Sequence, residues 1–155
     1  MRLSELGVIC TEAAANLVER HGLPVPATVL LPLPEATKVV TLDGFPDDDA
    51  SRVALLEQFT ADRMEPENAP CYGFVAGAVA GEGPDTVDVV MAVYGARNHH
   101  PQVTAAPVVD GAITEFADPE DLMLDAMPFV VPLQRAADGA VAPDVMPTDP
   151  NSGRT

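Results

Sequence analysis

The chain has 155 residues, with 24 acidic side chains against eight basic ones and a formal charge of −16 at pH 7. Phosphate backbones and anionic membrane surfaces bind through Lys and Arg, so this balance argues against nucleic-acid and membrane partners. Apolar residues make up 47% of the chain, too many for disorder throughout, and no apolar run approaches the ~20 residues needed to cross a bilayer.

A helix is expected over residues 4–21. Leu6, Cys10, Ala13, Leu17 and Val18 recur at spacings of three and four, while Glu5, Glu12 and Glu19 fall elsewhere around the cylinder. Gly22 suits the residue that closes a helix, and Pro24 forbids its continuation. Residues 23–34 hold Pro24, Pro26, Pro32 and Pro34, which reads as an extended connector or sheet edge with only residues 27–31 able to pair. Residues 38–42 form a short β-branched strand, stopped by Asp43, Gly44 and Pro46. Asp47, Asp48 and Asp49 then open a second helix reaching residue 64. One aspartate caps free amides, Val53, Leu56, Phe59 or Thr60, and Met64 face inward, and Arg52 and Asp62 point outward.

Residues 71–80 and 86–94 are two apolar strands joined by the turn-forming Gly81-Glu82-Gly83-Pro84-Asp85, so an antiparallel hairpin is expected. The near-continuous apolar character of 86–94 places that strand centrally, covered on both faces. A second hairpin pairs 103–109 with 112–116 around Asp110-Gly111, and Pro107 moves its first strand toward an edge. Asp118-Pro119-Glu120-Asp121 carries the signals of a helix start, giving one short helical turn over 122–127. Residues 128–133 read as an extended apolar piece over the core. The fold class is therefore α+β: an antiparallel sheet of about four strands packed against two helices. The domain occupies residues 1–136, and residues 137–155, rich in Pro and Gly, form a disordered acidic tail.

No stretch carries a specific catalytic signature. Cys10 and Cys71 lack a CxxC partner or a nearby His at metal spacing, which suits reduced, buried thiols in a cytoplasmic protein. Adjacent histidines on an extended chain face opposite ways, so His99 and His100 cannot chelate one metal as a pair. The hairpin does bring Cys71, Tyr72, Arg97 and His99 to one end of the sheet. This makes His99, His100 and Cys71 the catalytic candidates, and Arg97, His99 and Tyr72 the ligand-binding ones. Arg97 could hold an anion and a histidine could move a proton. Asn98-His99-His100-Pro101 is similar to the NHHP signature of the pterin-4a-carbinolamine dehydratases, whose histidines act as acid and base on a pterin. The resemblance ends at those four residues. Here they follow a Val-rich strand rather than a helix, position 104 is Thr, and no histidine follows His100, so that activity is not carried over.

A GC-rich coding sequence alone would yield much of this Ala-, Val-, Gly-, Pro- and Asp-rich composition, and strong net charge keeps a protein soluble. The expected function is a non-catalytic interaction or binding module. It would act through its acidic surface or an uncovered sheet face, on a partner with a basic surface, without cofactor or metal. The alternatives are a small-molecule binder or enzyme with its site near Arg97, His99 and His100, and a homo-oligomer pairing exposed strands.

Overall fold

The computed structural model describes residues 2–22, 25–81 and 83–140. Helix α1 (Leu3–His21) is followed by strands β1 (Thr28–Pro32) and β2 (Thr37–Thr41). Helix α2 (Asp49–Phe59) runs on as a π-helical turn, Thr60–Met64. Strands β3 (Cys71–Ala80), β4 (Val87–Ala96) and β5 (Gln102–Val109) come next, then the two-residue strands β6 (Ala112–Ile113) and β7 (Glu120–Asp121), and finally helix α3 (Val130–Asp138). The sheet is antiparallel, in the order β2-β1-β3-β4-β5-β6, with β7 also paired to β5.

The hairpin at the centre is as expected: Cys71 pairs with Ala96 and Ala80 with Val87, an unbroken ten-residue ladder. Alternation along these strands separates two apolar clusters. One side of the sheet carries Cys71, Val75, Val90, Ala92, Tyr94 and Ala106, which pack on Leu6, Cys10, Ala14, Leu17 and Val18 of α1. The opposite side carries Tyr72, Phe74 and Val93, which pack on Leu56 and Phe59 of α2 and on Val130, Leu133 and Ala137 of α3. The architecture is thus three layers, α1 / sheet / α2 with α3. The end of α1 and the start of α2 are made as their residues dictate. Gly22 takes φ +67° and its amide donates to the Val18 carbonyl at 2.8 Å, while Asp48 accepts from the Ser51 amide at 2.8 Å. The Asp110-Gly111 turn has positive φ at both residues, 54° and 79°, the geometry of a two-residue hairpin.

Five expectations need correction. The sheet has seven strands rather than about four, and three helices rather than two. Residues 28–32 are not an edge: β1 is buried throughout and lies between β2 and β3. Its one proline, Pro32, is tolerated because the ladder to β3 covers only Thr28–Leu30 and stops before this residue, which has no amide hydrogen to give. Glu120 and Asp121 pair with Val103 and Gln102 instead of starting a helix. Residues 130–138 are helical, not extended, and include Ala137 and Asp138, which the sequence reading assigns to the tail. Pro132 sits in the first turn of α3, where backbone amides have no intrahelical acceptor. Arg52 does not point outward. Its guanidinium lies 5.0 Å from the Phe45 ring centre and 5.6 Å from that of Phe129, and its Nε donates to the Pro46 carbonyl. The rest of the expected tail, residues 141–155, lies outside the described residues.

Candidate functional site

The end of the β3–β4 hairpin collects the residues singled out from the sequence, but sends them in different directions. The Arg97 amide donates to the Pro70 carbonyl at 2.7 Å, and Asn98 takes φ 63° in the turn that follows β4. Cys71 and His99 share a recess of about 40 Å³ with Arg2, Leu3, Leu6 and Ala96. Such a volume is close to the ~30 Å³ share of one water in the liquid, too small for a substrate. Burial raises the Cys71 thiol above its ordinary value, and its Sγ points at the Pro32 carbonyl 3.7 Å away. The thiol is therefore held protonated rather than activated.

Tyr72 lies on the other side of the sheet, as its position next to Cys71 requires. Its hydroxyl donates to Gln134 Oε1 at 2.8 Å. Gln134 Nε2 donates in turn to the Ala96 carbonyl and to Asp138 Oδ1, both at 2.9 Å. Asp138 Oδ1 also accepts from the Asn98 amide at 2.8 Å. This chain of bonds fastens the end of α3 to the end of β4. Burial, with the nearby Asp138 carboxylate, raises the Tyr72 phenol, so the hydroxyl stays a donor. Gly95 makes the space: a Cβ there would collide with the Tyr72 hydroxyl and with Gln134 Oε1. His100 Nε2 lies 2.8 Å from the Leu122 carbonyl, which ties the β4–β5 turn to the segment after β7. Arg97 Nε is buried without a hydrogen-bond partner. The two histidines, Arg97, Cys71 and Tyr72 are neighbours in the chain topology, and the recess that Cys71 and His99 share is the small one of about 40 Å³.

A second feature lies at the opposite end of the sheet. Strand β4 is covered on both faces from Val90 to Gly95, as expected of a central strand, but not over Val87–Val89. On the face that α2 and α3 occupy, the sheet continues past them through Ala78, Ala80, Val87, Val89, Pro107 and Val109. These positions follow from the pairing of Ala78 with Val89, Ala80 with Val87, and Val89 with Pro107. Val87 is 42% and Val109 51% exposed, and none of the six carries a charge. A group of adjacent apolar side chains on an open sheet face differs from the scattered exposed Val or Leu of an ordinary surface. The uncovered sheet face expected from the sequence has no readable position there, because the same β-branched pattern serves both a covered and an uncovered strand.

Among the described residues no group of three His, Cys, Asp or Glu side chains is placed to hold a metal, and no helix is long and apolar enough to cross a membrane. Comparison with protein-family models, with curated proteins and with solved structures finds no match to this chain.

Proposed function

We propose that the protein is a non-catalytic interaction module whose uncovered sheet face receives an amphipathic helix from a partner with a basic surface. The observation that carries this reading is the uncharged face formed by Ala78, Ala80, Val87, Val89, Pro107 and Val109 beside α2 and α3. Two helices already rest on that side of the sheet, so a third laid beside them would complete the layer. Asp85 and Asp110 lie in the turns at that end of the sheet, and the chain as a whole carries −16. A helix with an apolar stripe flanked by Lys and Arg matches both the face and its border. The protonated Cys71 thiol and the Tyr72–Gln134 bond support a structural rather than a chemical role for the hairpin's other end.

The test uses two synthetic helical peptides with the same leucine stripe, one flanked by lysines and one by glutamates. The lysine peptide is expected to shift the amide resonances of Val87, Val89 and Val109, to bind more weakly as salt rises, and to lose binding in Val87→Asp/Val89→Asp. Equal binding of both peptides, or binding unchanged in the double variant, refutes the reading. A dimer that light scattering detects and the double variant abolishes would assign the face to self-association instead.

A further inference from the structure

We infer that the groove between the first turns of α1 and the segment 116–119 is a small-molecule site for an uncharged ligand with an apolar body and one carbonyl- or ether-type oxygen. The groove has a volume of about 610 Å³ and lies on the α1 side of the sheet, away from the face discussed above. That is within the ~300–1,000 Å³ range of ordinary ligand pockets. Its walls are mainly apolar: Leu3 and Val8 on α1, Phe116 and Pro119 opposite.

Tyr94 is the informative residue. It lines the groove, is only 4% exposed as a residue, and its hydroxyl reaches the open groove rather than being sealed in the core. A hydroxyl that opens into a groove without a protein partner is free to donate to a ligand's acceptor there in place of water. Of the other polar side chains there, Thr11, Thr104 and Gln102 already donate within the chain. Thr104 Oγ1 donates to the Ala117 carbonyl and Gln102 Nε2 to Asp121 Oδ1, each at 2.5 Å. Room for the phenol comes from Gly7, where a Cβ would lie 2.9 Å from the Tyr94 oxygen. Burial, with the nearby Cys10, raises the Tyr94 phenol, so it offers a proton rather than a charge. Asp118 at the mouth, in a chain of this net charge, disfavours an anionic ligand. An acceptor on an apolar frame is the chemistry that remains.

Three fragment probes of similar shape test this: acetophenone, ethylbenzene, which lacks the acceptor, and benzoate, which is an anion. Titrated into the full chain and followed by amide resonances, acetophenone is expected to shift Gly7, Val8 and Ala117 saturably. Ethylbenzene should bind the same place about fivefold to tenfold more weakly, the effect of one hydrogen bond, and benzoate more weakly still. Tyr94→Phe should remove the preference for acetophenone over ethylbenzene while keeping the spectrum of the folded protein. Val8→Trp, on an exposed wall, should fill the groove and abolish the shifts. Shifts scattered away from the groove, or a preference that survives Tyr94→Phe, overturns the assignment.

Discussion

Cys10 provides the sharpest quantitative check on the packing of α1. Its side chain is fully buried between the helix and the sheet, and burial, reinforced by the neighbouring Cys71, pushes its thiol from 9.0 up to about 12. A thiol is charged only when deprotonated, so the folded state holds the proton that the unfolded chain releases above pH 9. Its contribution is intact below that pH and is lost as pH rises through 9 toward 12. At about 1 kcal/mol or slightly more per pH unit, Cys10 alone removes roughly 1 kcal/mol of stability by pH 10 and about 3 by pH 11. Tyr72 and Cys71 add alkaline losses of their own. The assay is therefore a comparison: urea unfolding under reducing conditions from pH 7 to 10.5, on the native sequence and on Cys10→Ala. The variant starts lower because of the small cavity, but its stability should decline less steeply above pH 9. Parallel curves for the two proteins would refute the placement of Cys10 in a dry interface.

Other expectations follow from single contacts. Gly95→Ala drives a methyl into the Tyr72–Gln134 bond and should cost about 1–3 kcal/mol, whereas Tyr72→Phe should cost about 1, both read from thermal unfolding. Arg52→Met keeps the stem but removes the charge over Phe45 and Phe129, and should lower stability by about 0.5–1 kcal/mol in urea titration. Asp48, held below the usual carboxylate range chiefly by the Ser51 amide, contributes stability that is present above pH 3.8 and is lost as pH falls further. Asp48→Ala should flatten that acid-side loss in circular dichroism, while Asp48→Ser should keep the cap. Val87→Asp, at an exposed position, should change stability by no more than about 0.5 kcal/mol, so any loss of peptide binding is a surface effect.

Much of this architecture is legible from local chemistry. The hairpin of β3 and β4, the Asp110-Gly111 turn, the Asp48 cap and the Gly22 stop each depend on residues near one another in the chain. What escaped depends on partners far away. Four prolines in twelve residues read as an edge, yet Pro26 and Pro34 flank β1, and the ladder to β3 ends before Pro32 needs to donate. Pro128 and Pro132 made residues 128–133 look extended, although Pro132 falls where a helix has no use for its amide. Asp118-Pro119-Glu120-Asp121 has every local mark of a helix start, and only pairing with Gln102 and Val103 decides otherwise. The Tyr94 groove had no local signal, because Gly7, Tyr94 and Phe116 meet only once α1 crosses the sheet. The sequence did place Cys71 and His99 at one end of the hairpin, but not the small volume between them.

Two glycines set how α1 is seated. The sulfur of Cys10 fills the space over Gly73 of the sheet, and the phenol of Tyr94 fills the space over Gly7 of the helix. Each layer thus lends the other a peg and a socket, and the two joints sit about one turn apart along the same helix. A helix doubly keyed in this way cannot slide or roll by one residue without unseating both. The wall it presents to its surroundings is consequently fixed before anything arrives to meet it.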